Sequence, residues 1–199
     1  FNMIEQQIRP WDVLDPKVLE LLSVLKREDF VPEAHRALAF VDMEIPLGGG
    51  RCMLAPKVEA RLLQDAAPQP HEKVLEVGTG SGYMAALLAG RAQSVISLEI
   101  DPQLAAQARA NLKAAGVANV EVREADGAKG LPGEAPFDVI VLSGSVAEIP
   151  QALLSQLKVG GRLVAIVGSG PVMRATLVTR TGEAAYSNSQ RWDTVAPRL

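Results

Sequence analysis

The sequence predicts an α/β protein: a doubly wound, mostly parallel seven-stranded sheet with an N-terminal helical addition. Three observations predict it. From Lys73 onward, short β-rich runs alternate with helical ones, the pattern of parallel βαβ units wound on a sheet. The first of those runs ends in a glycine-rich turn that opens a helix. The final portion changes texture to strand-like runs around Thr181-Gly182, a turn signal that finishes the sheet with an antiparallel hairpin.

Taken in order, the first seventy or so residues read as helical. Asp15 and Pro16 form an N-cap and first-turn pair before Val18, Leu21, Leu22 and Leu25 at helical spacing. Pro56 opens a second helix that places Val58, Leu62 and Leu63 on one face. "GGGRCMLAP", residues 48–56, feeds into that helix. The strands then follow as "KVLEVG", "SVISLEI", "NVEVREA", "FDVIVLS" and "RLVAIVG", with helical "YMAALLAG", "PQLAAQARANLKAAG" and "PQALLSQLKVGG" between them.

A length of 199 residues suits one well-packed domain, and 48% apolar against 22% charged residues is an ordinary globular balance. A net charge of -3 creates no general field for nucleic acid or acidic lipid, so neither is expected as a partner. Cys52 is the only cysteine, which rules out an internal disulfide. His35 and His71 stand alone, and no metal site is expected. No apolar run approaches the roughly 20 residues of a membrane span, and "FNMIEQQIRPW" lacks a secretory core, so the expectation is a cytoplasmic protein. Opening on Phe1 and stopping at "APRL", the chain is expected to be trimmed at both ends.

The strongest chemical signal is "VLEVGTGSGY", residues 74–83. In an open parallel sheet such a turn lies at the carboxyl edge, where ligands bind. Gly78, Gly80 and Gly82 clear side chains from the path of a ligand, with Thr79 and Ser81 between them. About twenty residues further on, Glu99 ends the second strand where a carboxylate can accept from ribose hydroxyls, and Ile100 follows it. Asp126 and Gly127 stand after the third strand. Together these make a nucleoside site. A dinucleotide fingerprint wants glycine or alanine where Tyr83 stands, and no GK[ST] ending marks a phosphate cradle. Tyr83 is expected to pack on the sheet, and Asp101 before Pro102 to cap a helix. Glu76 inside the first strand needs a donor, which a cationic amino-acid group on a cofactor could supply.

"VLEVGTGSGY", Glu99 and "EADG" at 124–127 resemble the S-adenosylmethionine-dependent methyltransferases, whose sheet is Rossmann-like. With "EQQIRP", "FVPEAHRALAFVDMEIPLGGG" and "APFDVIVLSGSVAEIPQALLSQLKVGGRLVAIVG", the chain resembles the protein-L-isoaspartate O-methyltransferase family over nearly its whole length. That resemblance implies residues 1–70 as a helical addition and acceptor loop packed on the same domain, and 71–199 as the methyltransferase domain. It implies S-adenosyl-L-methionine as cofactor, S-adenosyl-L-homocysteine as product, and isoaspartyl-containing proteins or peptides as substrates for repair. It further implies Glu76, Gly78, Gly80 and Gly82, with Thr79 and Ser81, around the methionine end, Glu99 and Ile100 at the ribose, and Asp126 with Gly127 at the adenine edge.

An aspartyl carboxylate, with a pKa of about 3.9, is already ionised at neutral pH, so its methylation needs no general base. In the family the acceptor loop reads Thr-Ile-Ser-Gln-Pro. Aligned on Pro56, those positions hold Cys52, Met53, Leu54 and Ala55 here. Arg51, Cys52 and Leu54 are the altered acceptor-loop candidates, Arg51 as a carboxylate clamp, and Met53 and Leu54 as pocket wall. Ser143 and Ser145 are further candidate contacts. A methyltransferase with a more apolar acceptor, or a cofactor-binding protein without turnover, are the alternatives.

Overall fold

The computed structural model describes residues 1–199. Helix α1 (Pro16–Val24) begins where sequence chemistry places it: the Asp15 side chain accepts from the Lys17 N–H at 2.9 Å, and proline occupies the first turn. The N-terminal part is less helical than expected. Around α1 lie short 3₁₀ and π turns, and residues 45–53 form a hairpin of β1 (Ile45–Gly48) and β2 (Arg51–Met53). Its turn needs three successive left-handed residues: Gly48, Gly49 and Gly50 have φ of +94°, +60° and +77°. The triple glycine is therefore a hairpin turn, and extended Leu54-Ala55 leads from it into α2 (Pro56–Ala66).

The main sheet follows: β3 (Lys73–Val77), α3 (Tyr83–Ala89), β4 (Ser94–Glu99), α4 (Pro102–Ala114), β5 (Val120–Glu124), β6 (Phe137–Val146), α5 (Gln151–Leu154), β7 (Leu157–Val167), β8 (Met173–Gly182) and β9 (Ala185–Thr194). Its seven strands run in the order β5-β4-β3-β6-β7-β8-β9, parallel as far as β7 and antiparallel beyond. The central strands are apolar on both faces because both are covered. One face, through Val74, Val95, Val139 and Val164, joins a core of 37 buried residues with α2, α3 and α4. Ile8, Val18, Phe30 and Ile45 belong to that core too. The opposite face, through Leu75, Ile96, Ile140 and Leu163, is closed by α5 and flanking 3₁₀ turns. No helix is long and apolar enough to cross a membrane.

The helix expected over "PQALLSQLKVGG" is cut short. It stops at Leu154, and the chain enters β7 at Leu157. Gly160 has φ of +86°, and a Cβ on Gly161 would lie 2.9 Å from the Asp138 carbonyl oxygen. Those residues form a bulge in β7, where the pairing shifts from Phe137–Leu157 to Val139–Arg162 and the backbone passes close to Asp138.

Candidate active site

At the carboxyl edge of β3, the N–H groups of Gly78 and Thr79 both donate to the Leu98 carbonyl, at 2.9 and 3.3 Å, which pins the turn against β4. The turn ends at Gly82, where φ is +89° and a Cβ would meet Leu112 Cγ at 3.3 Å. Glycine here lets α3 lie close to α4. Glu99, at the end of β4, is clamped: Oε1 accepts from the Gly80 N–H and Oε2 from the Asp101 N–H, each at 2.9 Å. Each oxygen keeps a lone pair for a ligand hydroxyl. Asp101 caps α4 through the N–H groups of Gln103 and Leu104. Asp126 accepts from the Ala128 N–H at 3.0 Å, and a Cβ on Gly127 would lie 2.2 Å from Val77 Cγ1, so only glycine passes there.

These strand ends border one crevice of about 250 Å³. Arg51, Cys52, Gly78, Gly80, Glu99, Ile100, Asp126 and Gly127 line it, and so does Ser143. Leu54, Glu76, Thr79, Ser81 and Gly82 do not. Glu76 is fully buried, and its donors come from the protein itself: Ser97 Oγ–H to Oε1 and Ser143 Oγ–H to Oε2, both at 2.6 Å. The cationic cofactor group invoked from sequence is therefore not needed to satisfy this carboxyl. Burial raises its pKa to about 8, and the two serine hydrogen bonds hold it from going higher. Thr79 Oγ1 shares a hydrogen bond with Ser97 Oγ at 2.6 Å, extending the same buried network. Tyr83 is 1% exposed and packs beside Phe30, as expected of a core residue.

The acceptor side is assembled from distant segments. Met53 and Leu54 are each 4% exposed and belong to the core, and with Thr79 and Ser81 they line a small pocket beside the crevice that shares Cys52, Gly78, Gly80 and Ser143 with it. The Leu54 carbonyl is held from beneath by Arg27 Nη2 at 2.9 Å. Buried Arg27 also reaches the Ala39 carbonyl and the Glu59 carboxylate, and its guanidinium lies 5.0 Å from the Tyr83 ring centroid. Nothing at sequence level singled this arginine out, because its partners lie 12 to 32 residues away. Cys52 faces the crevice, but burial and the Glu44 carboxylate push its thiol pKa up, which disfavours a thiolate nucleophile.

The C-terminal segment went unread as a functional element. Ser145 N–H donates to the Pro197 carbonyl at 2.7 Å, the Leu199 N–H to the Ser145 carbonyl at 3.0 Å, and Ser145 Oγ–H to the Ala196 carbonyl at 2.9 Å. Ser145 is therefore a fully buried fastener, not a substrate contact. It holds Pro197, Arg198 and Leu199 on the crevice wall, with Leu199 Cδ2 2.5 Å from the position a Cβ on Gly78 would take.

The model of the family described as protein-L-isoaspartate(D-aspartate) O-methyltransferase matches residues 2–195. Protein-L-isoaspartate O-methyltransferase 2 of Marinobacter nauticus is 41% identical over 192 residues, covering 96% of this chain and 88% of that protein. The protein-L-isoaspartate O-methyltransferase of Methanoculleus marisnigri is 45% identical over 167 residues, covering 84% of this chain and 76% of that one. In fold, the chain is similar to a Plasmodium falciparum structure described in the same terms and solved with S-adenosyl-L-homocysteine: TM-score 0.85 at 19% identity, over 100% of this chain and 96% of that one.

Proposed function

The chain belongs to the protein-L-isoaspartate(D-aspartate) O-methyltransferase family, and from that premise we propose that it methyl-esterifies the carboxylate of isoaspartyl residues in damaged proteins, using S-adenosyl-L-methionine. One observation carries the reading. The glycine turn, two strand-end acids and the acceptor hairpin meet in a single crevice at the carboxyl edge of the sheet.

The residues present fit the cofactor. Glu99, held by two backbone N–H groups, offers lone pairs to ribose hydroxyls, Asp126 accepts at the adenine edge, and exposed Ile100 gives the purine an apolar face. Gly78 and Gly80, with Ser143 opposite, border the methionine end. Thr79, Ser81, Gly82 and Glu76 act beneath that surface by holding the turn and strand ends in place. When bound, the cofactor supplies an electrophilic methyl group on a sulfonium.

The acceptor carboxylate, being already ionised, would need no proton removed to take that methyl in line, with the thioether of S-adenosyl-L-homocysteine as leaving group. The chain's work is alignment and exclusion of water. The hairpin carrying Arg51 and Cys52 closes one side, and the tail at Pro197–Leu199 the other. A more apolar acceptor would draw on Met53 and Leu54, which line only the small pocket beside this crevice, whereas Arg51 lines the crevice itself and can meet a carboxylate, so the isoaspartyl reading is the better supported.

The test is transfer of labelled methyl from S-adenosyl-L-methionine to a synthetic isoaspartyl peptide, with the normal aspartyl peptide as control. Selective labelling of the isoaspartyl peptide is expected. No labelling, from protein that binds S-adenosyl-L-homocysteine, would overturn the assignment of acceptor.

A further inference from the structure

Glu76 belongs to an unbranched chain of hydrogen-bonding side chains. Thr79 Oγ1 meets Ser97 Oγ, Ser97 Oγ meets Glu76 Oε1, and Ser143 Oγ meets Glu76 Oε2, each at 2.6 Å. Thr79, Ser97 and Glu76 are buried, whereas Ser143 is half-buried and lines the crevice. No cation pairs with Glu76. The charges felt there are the carboxylates of Glu59 on α2 and Glu99 at the end of β4, and both oppose its ionisation. Arg27 is spent on Glu59, and Arg51, Asp126 and Arg198 border the crevice without bonding to Glu76. Cys52 and Tyr83, which line the small pocket beside the crevice with Thr79 and Ser143, are kept neutral by burial. A carboxyl buried near other carboxylates, with hydroxyls as its partners, is held in its neutral form, and its pKa rises to about 8.

The neutral form changes the proton balance of the chain. With Glu76 ionised, three hydroxyl protons fill three contacts. With Glu76 neutral there are four protons for the same three contacts, so one must leave the chain at an end. At the Thr79 end the hydroxyl is buried and has no partner other than Ser97. At the Ser143 end it meets the crevice and whatever occupies it. We propose that Ser143 is a proton-controlled hydrogen-bond switch: while Glu76 is neutral, Ser143 accepts from it and turns its own O–H into the crevice, onto a carboxylate of the bound ligand. When Glu76 loses its proton to solvent by way of the crevice, the Ser143 O–H returns to Oε2, and the crevice is offered lone pairs instead. The carboxylate is the cofactor's own or the acceptor's, and its identity rests on the function proposed above.

Calorimetry on the whole protein tests the switch. Affinity for S-adenosyl-L-homocysteine, or for a fluorescein-labelled isoaspartyl peptide on protein saturated with it, should fall about tenfold between about pH 6.5 and about pH 9. A fall for the first ligand identifies the cofactor's carboxylate, and a fall for the second the acceptor's. Adenosine, which has no carboxylate, should show no such dependence. At about pH 8.5 the responding ligand should take up about half a proton on binding, measured in buffers of different ionisation enthalpy. Glu76→Gln keeps a neutral hydrogen-bonding group in place and should hold the low-pH affinity to about pH 9 without proton uptake. Ser143→Ala should lower affinity about tenfold at about pH 6.5 and leave it flat above.

Proton release on binding, a pH-independent affinity for both ligands, or a Ser143→Ala profile matching that of the unaltered protein overturns the switch. Infrared difference spectra between unaltered and Glu76→Gln protein test the chain with no ligand present. A protonated-carboxyl band at about pH 6.5, shifted in Ser143→Ala and lost by about pH 9, is expected. Its absence overturns the switch even where S-adenosyl-L-homocysteine fails to bind, a failure that by itself removes only the cofactor reading.

Discussion

The two ends of the crevice, proposed above as the nucleoside end and the acceptor end, are built on different principles. At the nucleoside end each functional group is held by backbone within its own turn or the adjacent strand: Glu99 by Gly80 and Asp101, Asp126 by Ala128, the glycine turn by Leu98. At the acceptor end the hairpin itself is local, but what holds it and the tail in place is not. The hairpin depends on Arg27 and Glu59 beneath it, and the tail depends on Ser145. Local fastening makes a site that recurs wherever the motif recurs, whereas long-range fastening lets the acceptor wall change while the fold and the cofactor end stay.

The largest effect should come from breaking the fastening under the acceptor end. Glu59→Ala leaves the Arg27 guanidinium buried without its carboxylate, which should cost about 3–5 kcal/mol in urea unfolding. Among molecules still folded, KM for the acceptor peptide should rise more than the Kd for S-adenosyl-L-homocysteine. Equal damage to both would erase the distinction between the two ends.

Next comes Glu76, which joins the ends through Ser97 on β4 and Ser143 on β6. Its folded pKa of about 8 lies above the unfolded carboxyl value, so its contribution to stability is fully present below about pH 4.5 and is lost as pH rises through 8. Glu76→Gln should therefore flatten the fall in stability between pH 5 and 9, by an amount on the order of a few kcal/mol. An unchanged pH profile in denaturant titrations would mean that the carboxyl is ionised in the folded protein throughout.

Gly127→Ala probes the nucleoside end alone. The new methyl meets Val77 Cγ1 at 2.2 Å, and the overpacking should cost about 1–3 kcal/mol. By calorimetry, affinity for S-adenosyl-L-homocysteine should fall about tenfold, while KM for the acceptor, measured at saturating cofactor, stays within about twofold. The smallest effect belongs to Asp101→Ala, loss of one helix cap, at about 1 kcal/mol in thermal or urea unfolding.

Where the sequence was readable, two conditions held: the signal was local, and its period was that of one element. The βαβ alternation, the turn at 78–82, the Asp15 and Asp101 caps and the acids at 99 and 126 all satisfy both. The failures break one condition each. "LKVGG" reads as the end of a helix until pairing with β6 draws it into a strand that bulges beside Asp138. Leu54 reads as open pocket wall, but it is 4% exposed and lines only a small pocket beside the crevice, a degree of burial set by packing between distant segments. Ser145 reads as a ligand contact because the tail that consumes its hydroxyl lies 51 residues further on.

By itself the sequence determined the layered α/β class, the place of the glycine turn and the acids around it, because short-range hydrogen bonding and hydrophobic period dictate those. It also carried the family resemblance. Only the tertiary structure decided which residues face the crevice at the acceptor end. The hairpin carrying Arg51 and the tail carrying Arg198 both border it, Glu76 is satisfied by Ser97 and Ser143, and Ser145 is spent as a fastener. The physical reason is that side-chain direction and charge neutralisation depend on partners brought together by packing, and those partners leave no periodic trace along the chain.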